Sequence, residues 1–360
     1  MLMSPSILSK MDPLMLQVSE NMIKNDKSSP YSATLSQFME ELAPVAGELA
    51  ALPETLDILL PKRSSTSKKV ARHILEGGGK RVRPALFFLA CRLTGYKGEH
   101  LQKVAAVCEY VHTASLLHDD VVDESRLRRG RATPNAVWGN QPAVLVGDLV
   151  YATACELMAS TGKVELVEYF ARAIRLMSEG ELIQLENKFN VGIERSTYMN
   201  ILSYKTGALI GTSCAASAIL ADSPPEAVNA LYEFGNNIGI AFQLIDDALD
   251  YDAKPGSTGK ASLKDLEEGK LTLPLIVSRD LASESDKIKL ADFFHSKQVE
   301  QPFKDFVSEL IERHQGQKST LELAQTYTDS AVQILHAHFP ESNERSRIEK
   351  IARMLLARLT

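Results

Sequence analysis

The chain has 360 residues, 44% of them hydrophobic and 24% charged, so it can bury a substantial core and reads as globular. Its net charge of −6 lacks the basic footprint of a nucleic-acid binder, and no nucleic-acid partner is expected. Cys91, Cys108, Cys155 and Cys214 form no CxxC pair and sit in apolar helical segments, which points to a reduced, cytoplasmic protein.

Residues 1–33 are polar, Met-rich and weakly patterned, as expected of a mobile N-terminal extension. They have neither the apolar core of a signal peptide nor the Arg-rich, acid-poor character of a transit peptide. From there to residue 360 helical periodicity dominates, with Pro and Gly clustered between helices at 95–98, 221–227 and 254–259. The expectation is a single all-α domain over 34–360, a helical bundle. No stretch approaches eighteen consecutive apolar residues, so no transmembrane segment is expected.

GGGKRVRP at 77–84 places Lys80 and Arg83 after a glycine run through which backbone can approach a phosphate closely. It is not a Walker loop, because Ile74 stands where the first Gly is required and Arg81 follows Lys80. The segment 101–125 is apolar on most faces, as a helix surrounded by others would be, and ends in DDVVD: Asp119, Asp120 and Asp123. Arg128 and Arg129 follow in LRRG, and His112 lies seven residues before Asp119. A second buried-looking helix from Tyr232 carries Gln243 and then DDALD: Asp246, Asp247 and Asp250.

On a helix, residues i and i+4 share a face, so each motif stacks two carboxylates with a third beside them. Asp supplies 18 of 360 residues, and a chance DDxxD should then arise only about 0.05 times in such a chain. Two occurrences inside apolar helices therefore need a cause. Crowded carboxylates repel and resist desolvation unless cations neutralise them. Oxygen-only ligands suit a hard cation, and Mg²⁺ combines one or two carboxylates with waters and phosphate oxygens. Two motifs on facing helices would make a six-carboxylate pocket for a diphosphate bridged by Mg²⁺. Arg and Lys grouped nearby suit a second diphosphate held without metal.

Together GGGKRVRP, HTASLLHDDVVDESRLRRGRATPNAVWGNQPAVLVGDLVY, KTGAL, FQLIDDALDY, GK and EGKLTLPL resemble the all-trans isoprenyl diphosphate synthases, in particular the polyprenyl branch of octaprenyl or solanesyl type. The resemblance runs from about Leu35 to Val277. It implies an all-α, isoprenoid synthase-type bundle around a central catalytic cavity, a homodimer, and condensation of an allylic diphosphate with isopentenyl diphosphate. By position, Asp119, Asp120, Asp123, Asp246 and Asp250 would be ligands for two or three Mg²⁺ ions, with Asp247 nearby. Arg128, Lys205, Thr206, Gln243, Lys260 and Lys270 would contact the allylic diphosphate, and Lys80, Arg83, His112 and Arg129 isopentenyl diphosphate. Of these, the six aspartates, Arg128 and Lys205 would carry the catalysis.

Below Asp119 on one helical face lie Ser115, Val111, Cys108 and Ala105, with Ala114 beside Ser115, none of them aromatic. The descent to Ala105 is roughly 21 Å, room for about four isoprene units of about 5 Å. In the family, bulky residues four or five positions before the motif mark short products. A long polyprenyl chain, grown on farnesyl or geranylgeranyl diphosphate and destined for a quinone side chain, is the expected product. Geranylgeranyl diphosphate synthesis and a non-catalytic helical subunit are the alternatives. A terpene cyclase has no need of GGGKRVRP for a second diphosphate. A metal phosphohydrolase using His118 and Asp119 would need further ligands at persuasive spacing, which His73 and His112 do not offer.

Overall fold

A computed structural model describes residues 37–60, 64–77, 81–128, 130–252, 263–297 and 299–356. The N-terminal extension, Lys80, Arg129, Lys260 and the 254–259 cluster lie outside the described residues. The architecture is all-α, as the periodicity predicts. The described residues hold one short sheet, in which β1 (Leu127–Arg128) pairs antiparallel with β2 (Arg131–Ala132). Gly130 turns that hairpin at φ 76°, where a side chain would be strained.

The chain divides into two compact units, one holding residues up to Ala171, Thr212–Leu231 and Phe339–Ile351, the other Arg172–Gly211, Tyr232–His338 and the residues from Ala352. In the first unit, α1 (Ala46–Leu59), α2 (Ser65–Leu75) and α3 (Val82–Thr94) precede α4 (Leu101–Val122). The N-cap Ser64 starts α2 by accepting from Ser67 N–H, and Gly95 at φ 76° ends α3. After α5 (Pro134–Trp138), α6 (Asn140–Ala159) packs along α4, which also meets α1, α2 and α3. Such surroundings explain why α4 is apolar on most faces: Val104, Ala105, Val107, Cys108, Val111 and Ala114 are all fully buried.

Among the described residues α6 alone is long and apolar enough to cross a membrane by length and composition. It carries Asp148 and Glu156, and its inner face, with Ala143, Val150 and Ala154, is buried. All four cysteines are free, and Cys155 alone is exposed.

In the second unit, α7 (Val164–Glu186) contributes its later turns, followed by α8 (Arg195–Leu202), a π turn (Ser203–Gly207) and the start of α9 (Ala208–Leu220). The later part of α10 (Pro225–Leu249) lies against that turn through glycines. A Cβ on Gly239 would stand 2.6 Å from Gly207 Cα, and one on Gly235 2.7 Å from Gly211 Cα, so only glycine lets these backbones approach so closely. Replacing Gly239 by Ala is expected to destabilise the fold by about 1–3 kcal/mol, because backbone rather than a flexible side chain must give way. A thermal or denaturant melt measures this directly. Further helices α11 (Lys264–Glu267), α12 (Leu273–Leu281), α13 (Glu284–Ser296), α14 (Gln301–Arg313), α15 (Gly316–His338) and α16 (Asn343–Leu356) complete the chain. Leu273, Leu275, Ile276, Phe303, Val307 and Leu310 from α12 and α14 centre the second unit's core.

Candidate active site

The first aspartate motif closes α4. Asp123 caps the helix, its N–H bonding to Asp119 O at 2.8 Å, and Glu124 at φ 50° turns the chain away. Asn135 Nδ2 donates to the carbonyls of Asp120 (3.0 Å) and Ser125 (3.1 Å), while Thr133 Oγ1 donates to Ser125 O at 2.6 Å. These bonds fold the hairpin back, so that Arg128 Nε and Nη2 reach Asp120 Oδ1 at 2.9 and 2.8 Å. Asp120 is 1% exposed, and its Oδ2 is buried with no hydrogen-bond partner. Asp119 and Asp123 are half-buried.

Further back along α4, beside Cys108 and Glu109, Arg83 lies in the first turn of α3, and His112 stands on α4 itself, both half-buried. Arg81, in a left-handed conformation, donates to Leu75 O at 3.0 Å and pairs with the buried Glu109. His118 turns toward α6, with Nε2 3.1 Å from Val144 O and 3.4 Å from Asp148 Oδ1. Among the described residues no three His, Cys, Asp or Glu side chains converge to hold a metal by themselves.

The second motif ends α10. Asp246 is exposed, Asp247 buried and Asp250 half-buried. Asp247 accepts from Tyr198 Oη at Oδ2 and from Gln243 Nε2 at Oδ1 (2.8 Å), and Thr206 Oγ1 donates to Gln243 Oε1 at 3.1 Å. Asp265 N–H donates to Asp250 Oδ2 at 2.9 Å. Lys205, on the π turn beside Thr206, pairs with Glu181 of α7, over Gly180. A Cβ on Gly180 would approach Lys205 Cγ to 2.9 Å, so this glycine clears the path of the lysine chain. Lys270 Nζ donates to Glu268 Oε2 at 2.6 Å. Lys205, Thr206, Gln243, Asp247, Asp265 and Lys270 line a cavity of about 140 Å³ whose remaining wall includes Ile193, Ile201 and Leu202.

In both motifs, then, the middle aspartate is buried and spent on protein donors, and the outer two are more open. Tyr198, Glu181 and Asp265 join the site without a signal in the motif spacing. Asp265 could have been singled out only as an acid in KDLEEGK near the lysine at 270.

The electrostatics of the second unit are short of positive charge. Burial and the charge of Asp265 push the Asp247 carboxyl up, against the hydrogen bonds of Tyr198 and Gln243. Burial followed by the Asp250 charge pushes Asp265 up, with Lys270 opposing. Glu268 is desolvated as well, but the hydrogen bond and charge of Lys270 outweigh that and hold it below the usual range. A carboxyl raised in the folded state stabilises the fold fully at pH below its unfolded value, and that contribution is lost as pH rises through the raised value. Asp265→Asn is therefore expected to raise the metal-free thermal midpoint at pH 8 by about 2 °C or more and to leave it unchanged near pH 3. Melting curves in chelator at the two pH values check this.

Crowded, desolvated oxygen donors and an orphaned carboxylate oxygen at Asp120 are what a hard divalent cation would relieve. Mg²⁺ needs only one or two carboxylates beside waters and phosphate oxygens, so the donor sets fit it without an all-protein cage.

The fold is that of the isoprenyl diphosphate synthases. A decaprenyl diphosphate synthase from Rhodobacter capsulatus matches it with a TM-score of 0.85 and 34% identity, over 90% of this chain and 99% of that one. The chain belongs to the polyprenyl synthetase family, whose model matches residues 64–310. It is 46% identical over 204 residues to the octaprenyl diphosphate synthase of Escherichia coli (strain K12), a match spanning 57% of this chain and 63% of that protein. It is 36% identical over 322 residues to an all-trans-nonaprenyl-diphosphate synthase (geranyl-diphosphate specific) of Rhodobacter capsulatus, covering 88% of this chain and 97% of that one.

Proposed function

We propose that the protein is a Mg²⁺-dependent trans-prenyltransferase that extends farnesyl or geranylgeranyl diphosphate with successive isopentenyl diphosphate units to a long-chain all-trans polyprenyl diphosphate. The observation that carries this reading is the cavity in which Lys205, Thr206, Gln243 and Lys270 surround the desolvated carboxyls of Asp247 and Asp265. Long-chain products are what the relatives named above are named for, and that supports the same length here.

In this reading Asp119, Asp120, Asp123, Asp246 and Asp250 would hold Mg²⁺, Asp120 through the oxygen that Arg128 leaves unbonded. The chemistry Mg²⁺ supplies when bound is stabilisation of the charge that builds on the departing diphosphate. Arg128, Lys205 and Lys270 hold phosphate oxygens and offset the same charge, Lys205 leaving Glu181 to do so. Thr206 and Gln243 orient that diphosphate, with Lys260 a further contact. Lys80, Arg83, His112 and Arg129 bind isopentenyl diphosphate, whose double bond attacks the allylic cation. The released diphosphate takes the proton that completes the new unit. Apolar walls such as Ile193, Ile201 and Leu202 keep water from the cation.

The working form is read as a homodimer. On α5 and α6, Val137, Val144 and Leu145 are 49%, 37% and 66% exposed, apolar side chains that a second copy would cover. Leu145→Glu is expected to shift the protein toward monomer in light scattering.

The test of the activity is incubation with Mg²⁺, labelled isopentenyl diphosphate and each primer, followed by sizing of the dephosphorylated products. Products of about eight or more units are expected. Arrest at four units would make it a geranylgeranyl diphosphate synthase, and absence of incorporation would leave a non-catalytic subunit.

A further inference from the structure

We propose that Tyr198 is a positioning residue, which acts on the allylic diphosphate through Asp247 and Gln243. The inference rests on reading Gln243 as a contact of that diphosphate. Tyr198 stands on α8, outside both aspartate motifs and seven residues before Lys205, and is buried, 3% exposed. Its hydroxyl donates to Asp247 Oδ2, and Asp247 Oδ1 accepts from Gln243 Nε2 at 2.8 Å.

The direction of these bonds decides which end of the Gln243 amide points where. The amide turns its Nε2 to Asp247 Oδ1 and its oxygen toward Thr206. That oxygen meets the Thr206 hydroxyl at 3.1 Å, which donates to it. What remains for the cavity is fixed: the second N–H of Gln243, the second lone pair of its Oε1, and the lone pairs of Thr206. Without the Tyr198 donor, Asp247 Oδ2 would be a buried acceptor with nothing in its place, free to swing toward another donor and release the amide. The close glycine contact of Gly207 with Gly239 sets the π turn that carries Thr206 against α10, which carries Gln243 and Asp247.

A double-mutant cycle tests the relay. Tyr198→Phe keeps the ring and removes only the donor. It is expected to raise the KM for the allylic diphosphate about tenfold while the KM for isopentenyl diphosphate stays within about twofold. In a Gln243→Ala background the same change should alter the allylic KM by less than about twofold, because the group it orients is gone. Equal factors in both backgrounds, or an unchanged allylic KM, would overturn the inference while leaving the proposed activity intact. Gln243→Ala behaving as wild type would overturn it together with the reading of Gln243. No incorporation by the wild-type enzyme would remove the activity itself. If Tyr198→Phe does not accumulate in folded form, Asp247→Leu severs the same relay one residue nearer and passes through the same cycle.

Discussion

Asp119→Ala and Asp246→Ala are each expected to lower isopentenyl incorporation by about 10³-fold or more, with thermal midpoints within about 3 °C of wild type in the absence of metal. The two effects separate because neither carboxylate is part of the buried core. Asp246 is exposed, and Asp119 is half-buried at the end of α4. Asp120 should behave differently. It is fully buried and carries both hydrogen bonds from Arg128, so Asp120→Ala strips a charged partner from the arginine and lowers stability along with rate. Asp148→Ala, on the exposed side of α6 with 63% of its side chain accessible, is the control and should stay within about twofold of wild type. Initial rates at saturating Mg²⁺, set beside melting curves, check all four. Asp119→Ala and Asp246→Ala both retaining wild-type rates would sink the metal-ligand assignment.

A graded change of product length is the second large effect expected. Ser115, Val111 and Cys108 descend one face of α4 at about 6, 12 and 16 Å below Asp119, or about one, two and three isoprene units. Phe at each position should arrest the chain at a different length, shortest for Ser115→Phe and longest for Cys108→Phe. Val111 and Cys108 are fully buried, so an aromatic ring there overpacks the helix by about 1–3 kcal/mol, whereas half-buried Ser115 has more room. Ser115→Phe is therefore the first variant to make, with chromatographic sizing as the readout. Products whose length ignores all three substitutions would place the growing chain elsewhere than along this face.

Much of the fold was legible because its cause is local. Apolar residues at helical spacing, punctuated by GYKG and SPPEA, marked the helices, and the near absence of alternation ruled out a sheet of any size. The crowded first helix is the buried α4, surrounded as its composition required. The two-residue hairpin at 127–132 was too short to leave a pattern. The π turn at Ser203–Gly207, which carries Lys205 and Thr206, has no periodic signature either, since it departs from the helix by a single residue.

Within the site, the sequence by itself determined which groups are charged and which helices carry them, because a DDxxD motif and a neighbouring arginine are fixed by chain order. It could not determine what each charge spends itself on. Asp120 and Asp247 look no different from their neighbours in the motif, yet packing buries both and hands one to Arg128 and the other to Tyr198 and Gln243. Arg81, beside Lys80 in the same motif, pairs with Glu109, 28 positions away. Glu181 and Asp265 enter only when their helices close around the lysines. Helical periodicity acts within about four residues, while burial, hydrogen-bond partners and carboxyl ionisation depend on segments far apart in the chain, and those only the tertiary structure brings together.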